Sequence, residues 1–262
     1  MSSDAPGRPL ERSVVIVASR RGVRLGWVAG SLCQRSTTAT VGDCAPRQPG
    51  LGCCETGGRG ADRSTSRTGH ASAVATMLAQ AFNDDPVMHW MQPIPSRRSA
   101  ALRRLFAAQL RHDYVPAGGV QLIGDPTGQP LAAAMWKPPG TTGPRASRRE
   151  DLTMTAAVVG ALRTRLPAAL TLRRALDGAH PAEPHWYLNK LGTAHTARGQ
   201  GLASALLSAQ ARYCDETSTA AYLEATRHEL IGFYETFGFT CTAPIDVPHG
   251  GPRVWGMWRA PR

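Results

Sequence analysis

Arg198-Gly199-Gln200-Gly201-Leu202-Ala203 is the part of this chain whose residue types and spacing best suit a ligand. It follows an apolar run ending in Thr193 and a polar turn, and it opens an amphipathic helix. Backbone N–H groups at a helix start have no partner inside the helix, and the aligned peptide dipoles favour an anion there. Gly199 and Gly201 let the backbone approach a phosphate with no Cβ in the way, and Arg198 adds a charge-assisted donor. The chemistry this favours is the binding of a pyrophosphate. Two other phosphate motifs are absent: the GxxxxGK(S/T) of a P-loop, and a GxGxxG with a downstream ribose-binding acid. The residues fit R-x-x-G-x-A, with Arg198, Gly201 and Ala203 in the fixed positions.

That pattern resembles the coenzyme A pyrophosphate loop of the GNAT superfamily of N-acetyltransferases, and the resemblance extends over roughly residues 66 to 260. Ile231 to Phe239 is similar to the superfamily's last helix with its FYxxxGF signature, and Ala221-Tyr222-Leu223-Glu224-Ala225 to the strand before it. Ala81 to Pro86, Pro184 to Leu188 and Asp246 to Met257 look like the actinobacterial branch that includes the puromycin-type acetyltransferases. The resemblance implies an α/β fold. Its central sheet is mixed and mostly antiparallel, a V-shaped splay separates two parallel strands, and helices cover both faces. It further implies acetyl-CoA as co-substrate, no metal, and a small-molecule amine as acceptor. Backbone groups of Leu191, Gly192 and Thr193 would run beside the pantetheine arm. Gly199, Gln200, Gly201, Leu202, Ala203 and Ser204 would hold the pyrophosphate with Arg198.

Two residues take catalytic roles by the same resemblance. Tyr234 matches the tyrosine that points at the thioester sulfur. With ordinary pKa values of ~10 for tyrosine and ~8.5 for a thiol, full proton transfer to the thiolate is uphill by ~2 kcal/mol, so the hydroxyl serves better as a hydrogen-bond donor. Glu224 matches a glutamate after the strand leucine. A free Glu at ~4.3 cannot deprotonate an ammonium directly, so burial or a water relay is required, and a purely orienting role stands beside the role of base. His185 and His228 are lesser candidates for the same task. Asp85 and Trp90 are expected in the acceptor pocket, although Asp85 before Pro86 equally suits helix-end chemistry. One departure stands out: many relatives carry an asparagine four residues before the tyrosine, where this chain has Leu230.

The elements that must position these residues follow from periodicity. Val74, Met77, Leu78 and Phe82 recur at helical spacing from about Ala71, and Pro86 is expected to end that helix. Residues 97 to 112 predict a second helix, with Leu102, Leu105, Phe106 and Leu110 on one face and arginines opposite. Val120 to Ile123 and Leu131 to Trp136 predict a hairpin around Asp125-Pro126-Thr127-Gly128. One or two helices are expected over 148 to 177. Strand 186–193, helix 200–214, strand 220–225, helix 229–237 and two final strands complete the layer.

The remaining composition bounds the answer. At 262 residues the chain has room for one sizeable domain, taken as 66–262, and an atypical N-terminal stretch, 1–65, expected to be disordered. The resemblance asks for an apolar strand before the first helix, yet Ala61 to Ser66 reads ADRSTS. Ser19-Arg20-Arg21 only faintly suggests an export signal, since the apolar patch after it is short. The formal charge of +11 comes almost wholly from arginine; Lys137 and Lys190 are the lysines. The arginines are scattered and not interleaved with aromatics, which disfavours a nucleic-acid partner. No apolar run approaches the ~18 residues that span a bilayer, so no membrane partner is expected. Cys33, Cys44, Cys53 and Cys54 lack zinc-ligand spacing, and Cys214 and Cys241 fall on predicted core elements, which together suit a reducing cytoplasm. The molecule is expected as a monomer or homodimer.

Overall fold

The computed structural model describes residues 12–19, 22–24, 27–29, 63–140, 156, 158–160 and 162–262. Its sheet runs in the order β2 (Gly22–Arg24), β1 (Arg12–Ser19), β4 (Val120–Gly124), β5 (Pro130–Lys137), β6 (His185–Thr193), β7 (Ala220–Ala225), β9 (Arg253–Arg259), β8 (Thr240–Asp246), with β3 (Trp27–Ala29) also paired to β1. The pairs β1–β4 and β6–β7 are parallel and the rest antiparallel, which gives the expected mixed, mostly antiparallel sheet. Within residues 1–65, the strands β1, β2 and β3 and the start of α1 are described. The expected disorder of the remainder, and Cys33, Cys44, Cys53 and Cys54, lie outside the described residues.

Side-chain alternation along β5 divides the core into two layers. Ala133 and Met135 face one way, into a cluster with α1 (Arg63–Ala81), α2 (Pro86–Met91) and α3 (Pro95–Gln109). Ala132, Ala134 and Trp136 face the other way, against Leu202, Leu206 and Leu207 of α5 (Leu202–Glu216). Helices therefore cover both faces. Close approach of α1 to the sheet depends on Gly192, where a Cβ would stand 2.7 Å from Leu78 Cδ2.

Local sequence chemistry sets the element ends. Asp125 Oδ1 accepts from the backbone N–H groups of Thr127 and Gln129, both at 2.9 Å, and Gly128 takes φ +87°, closing the β4–β5 hairpin. Pro86 does not end the first helix as predicted. α1 stops at Ala81, and Pro86 opens α2, the position a proline suits because that N–H has no helical partner. The face of α3 is as expected except for Arg98, which is buried and donates to the Gln92 carbonyl at 3.1 Å. After α3 the chain widens into a π-turn over Leu110–Tyr114. The 148–177 region supplies α4 (Leu166–Ala179), and the last helix is split into a 3-10 turn, His228–Leu230, and α6 (Ile231–Glu235).

Candidate active site

The site begins where two parallel strands part. β6 and β7 pair from His185–Ala220 to Leu188–Leu223 and no further. β6 runs on to Thr193 beside β5 alone. At the parting point β6 carries a bulge: Met135 pairs with Lys190 and Trp136 with Leu188, so Asn189 is the extra residue. The bulge reverses the side-chain sense of the strand. Leu188 packs towards α5, whereas Lys190 lies over the Phe106 ring of α3 at 5.2 Å and Gly192 lies against α1.

The cleft that results has a volume of about 440 Å³. Leu191, Gly192 and Thr193 line it on the β6 side, Glu224 and Thr226 on the β7 side, and Tyr234 of α6 lies in its wall. At one end of the cleft, Arg198 lines it and Gly199 and Gly201 take φ of +76° and +73°. A Cβ at either glycine would meet nothing within 4 Å, so the loop is open to a bulky anion. Gly201 is the N-cap of α5, and the N–H groups of that first turn, from Leu202 to Ser204, have no partner inside the helix and can donate to an anion. Leu202's side chain is in the core, so only its backbone is available. A splayed strand with an unpaired edge, ending in an open glycine turn at a helix start, fits the arm and pyrophosphate of acetyl-CoA.

The polar groups of the cleft are tightly organised. Glu224 is 6% exposed at its side chain. Its Oε2 accepts from the Tyr187 hydroxyl at 2.8 Å, while Oε1 is buried without a hydrogen-bond partner. Burial first, and then the Glu224 charge, raise Tyr187 well above the usual tyrosine range, so Tyr187 remains a donor to the carboxylate. Asn189 Nδ2 reaches the same hydroxyl at 3.4 Å, and Lys190 Nζ donates to Asn189 Oδ1 at 2.7 Å. Burial lowers Lys190 to about 8, partly offset by Asp85 and Glu224. Tyr234 is pushed up by burial and then by the Asp85 charge. Its hydroxyl therefore keeps its proton at any working pH.

Asp85 lines the cleft, and its carboxylate is already engaged. Oδ1 caps α2 by accepting from Val87 N at 3.0 Å and Met88 N at 3.2 Å, and Oδ2 accepts from Thr226 Oγ1 at 2.5 Å. Trp90 lies away from the cleft lining, packed on the α1–α3 cluster, with its carbonyl accepting from Arg165 at 2.6 Å. Leu230 lines the cleft, so an apolar side chain stands there at the position of the absent asparagine. His185 sits behind Glu224 in contact with His180, and His228 stands against the Trp255 ring. Sequence reasoning missed Tyr187, Asn189, Lys190 and His180. Strand alternation places Tyr187, Tyr222 and Glu224 on one face once the parallel register is known, but the register itself is not a sequence signal.

Comparison with known proteins agrees with this geometry. The sequence model of the Acetyltransferase (GNAT) family matches residues 147–239. A crystal structure from Corynebacterium glutamicum, described as histone acetyltransferase HPA2 and related acetyltransferase, is 27% identical, with a TM-score of 0.54 over 77% of this chain and 94% of that one. An agmatine N-acetyltransferase shares the fold at 14% identity, with a TM-score of 0.51 over 73% of this chain and 95% of that one. Among the described residues no helix is long and apolar enough to cross a membrane. The splayed strand pair, the open glycine turn and the match over residues 147–239 fall in one place, and the chain has the α/β fold of the GNAT acetyltransferases.

Proposed function

We propose that the chain transfers an acetyl group from acetyl-CoA to a primary amine of a small molecule, within a ternary complex, using the unit at 66–262. The observation that carries this reading is the pairing of Glu224 and Tyr234 across one cleft: a buried carboxylate with a bare oxygen, and a hydroxyl held in its protonated form. Acetyl-CoA supplies an activated acyl group whose leaving thiolate needs stabilisation. The backbone of Leu191 to Thr193 and the loop from Arg198 to Ser204 bind and orient it. Glu224 takes up the proton that leaves the amine, and Tyr234 offers its hydroxyl hydrogen to the sulfur. Positioning and fixed hydrogen bonds supply most of the acceleration in such a site.

Puromycin-type antibiotics are the first acceptors to try, on the strength of the sequence resemblance at the first-helix ending, Ala81 to Pro86, and in the closing segment. The name of the Corynebacterium relative favours a second reading, acetylation of protein amines. The deciding experiment measures coenzyme A release with a thiol reagent across puromycin, simple alkyl diamines and a lysine peptide. Release that depends on a small amine, with an added acetyl mass on that amine, supports the proposal; release with the peptide alone supports the second reading. Saturable acetyl-CoA binding without release under any condition defeats both and leaves an acyl-CoA-binding module.

A further inference from the structure

Behind Glu224 lies a histidine pair. His180, the residue closing α4, is 20% exposed at its side chain, and its Nδ1 stands 3.8 Å from Glu224 Oε1. Its Nε2 is 3.1 Å from His185 Nε2, and His185 Nδ1 is 2.6 Å from the Glu183 carbonyl oxygen. The partners fix the tautomers. A carbonyl oxygen can only accept, so His185 carries its proton on Nδ1. Burial is the first cause lowering His185, which keeps the ring neutral and leaves its Nε2 bare. His180 must then donate from Nε2. A neutral His180 therefore turns a bare Nδ1 towards Glu224 Oε1, itself buried without a hydrogen-bond partner. Two lone pairs face each other across 3.8 Å, and an added proton gives them a reason to close to hydrogen-bond distance.

We infer that His180 is a positioning residue that works through Glu224: the proton leaving the acceptor amine is held between Glu224 Oε1 and His180 Nδ1. This rests on the acetyl-transfer reading. As the C–N bond forms and the C–S bond breaks, the N–H bond electrons remain on nitrogen and its proton passes to the Glu224–His180 pair. The C–S electrons stay on sulfur, which receives its proton from solvent after hydrogen bonding by Tyr234. The groups facing the pair are Tyr187 and His185 from β6, Tyr222 from β7, and the Glu183 backbone from the preceding loop. Tyr114 of the π-turn and Lys190 act on Glu224 through their electrostatic coupling with it. The Tyr187 and Tyr222 rings stand edge to face with His180 at 4.9 and 5.1 Å and hold its ring in place.

Two measurements test this on the full chain. Nitrogen-15 NMR of the histidine rings, free of any substrate, reads the tautomers: neutral His180 is expected with its proton on Nε2 and His185 on Nδ1. A neutral His180 protonated on Nδ1 overturns the inference even if no acceptor is ever found. For turnover, His180→Gln is expected to lose about tenfold to a hundredfold in kcat near neutral pH, with the deficit shrinking as pH rises and solvent base takes over. Acetyl-CoA affinity should stay unchanged, and added imidazole should restore part of the rate to His180→Ala. A deficit equal at every pH and indifferent to imidazole would mark a merely structural residue and overturn the inference, as would no deficit. Absence of turnover in the unaltered protein sinks the acetyl-transfer reading instead, and the tautomers still decide the histidine pair.

Discussion

Tyr234 and Lys190 show how burial sets what one side chain can do. Burial and the Asp85 charge both hold the Tyr234 proton on, so the role proposed for it is a hydrogen bond to the departing sulfur rather than a released proton. Tyr234→Phe should lower kcat by about tenfold to a hundredfold while leaving acetyl-CoA affinity intact. The rate should also show no alkaline limb from this hydroxyl up to about pH 10, because its pKa lies above that range. A limb that disappears in Tyr234→Phe contradicts the assignment. Lys190 carries the opposite burden. Its ammonium is buried, and its pKa falls from the usual 10.5 to about 8. Below about pH 8 the lysine is charged in both folded and unfolded chains, and the full desolvation cost falls on the fold. Between about 8 and 10.5 the unfolded chain holds the proton and the folded chain does not, so stability rises with pH by up to about 3 kcal/mol. Cys214, pushed up to about 11 by burial, works against this rise at the alkaline end, and does so equally in a Lys190 variant. The difference in denaturant-measured stability between the unaltered chain and Lys190→Met should therefore shrink as pH climbs through this window. A difference independent of pH would place the Lys190 pKa at its ordinary value.

At the scale of elements, the cleft depends on short pieces held to each other by single side chains. Asp85 is the clearest case: one carboxylate caps α2 and also ties it to Thr226, just beyond β7. Arg227 adds a second tie, donating from Nη2 to the Asp84 carbonyl. Asp85→Ala should cost about 1–2 kcal/mol from the lost cap, with a further loss from the freed Thr226. Asp85→Asn keeps an acceptor for the cap and should recover most of the stability, read from chemical denaturation. If both variants lose only activity and no stability, Asp85 serves the acceptor instead. The sequence made β6, α5 and β7 legible to within two residues, because α5 keeps its 3.6 period and the two strands are short, largely apolar runs bounded by polar turns. It also exposed the glycine turn, Glu224 and Tyr234. What it hid has physical causes. The bulge at Asn189 is a two-against-one count between strands, visible only once β5 is paired with β6, and without it neither Asn189 nor Lys190 draws notice. His180 closes an amphipathic helix and reads as an end residue; only docking of α4 near β8 brings it to Glu224. Arg98 breaks the polar-out rule on α3, where the Gln92 carbonyl at the C-cap of α2 accepts from it.

For the molecule as a whole, the far end of the sheet needs a clasp, because the cleft side is weakened by the parting of β6 and β7. Arg259 at the end of β9 supplies it. Its guanidinium is 3% exposed and grips Asp215 of α5 with two hydrogen bonds of 2.7 and 2.8 Å, while Nε donates to the Phe237 carbonyl at 2.8 Å. The Arg262 N–H adds a further bond to Asp215 at 2.8 Å. One carboxylate thus joins the helix that begins at the glycine turn, the segment after Tyr234, and the last strand, β9. The side chain of Asp215 keeps 28% exposure, so its own desolvation is modest, but removing it strands a buried cation. Asp215→Ala should therefore cost about 2–4 kcal/mol, more than Arg259→Met, which removes the buried charge together with its need for a partner. The Arg259 hydrogen bonds hold the Asp215 carboxyl below its ordinary value. A group lowered in the folded state stabilises above its unfolded pKa of about 4, and that contribution fades as pH falls through the folded value. Acid titration of stability should accordingly be shallower in Asp215→Asn than in the unaltered chain. Equal costs for Asp215→Ala and Arg259→Met, with unchanged acid slopes, would show that the clasp is only a surface contact and that the sheet's far end is held by packing alone.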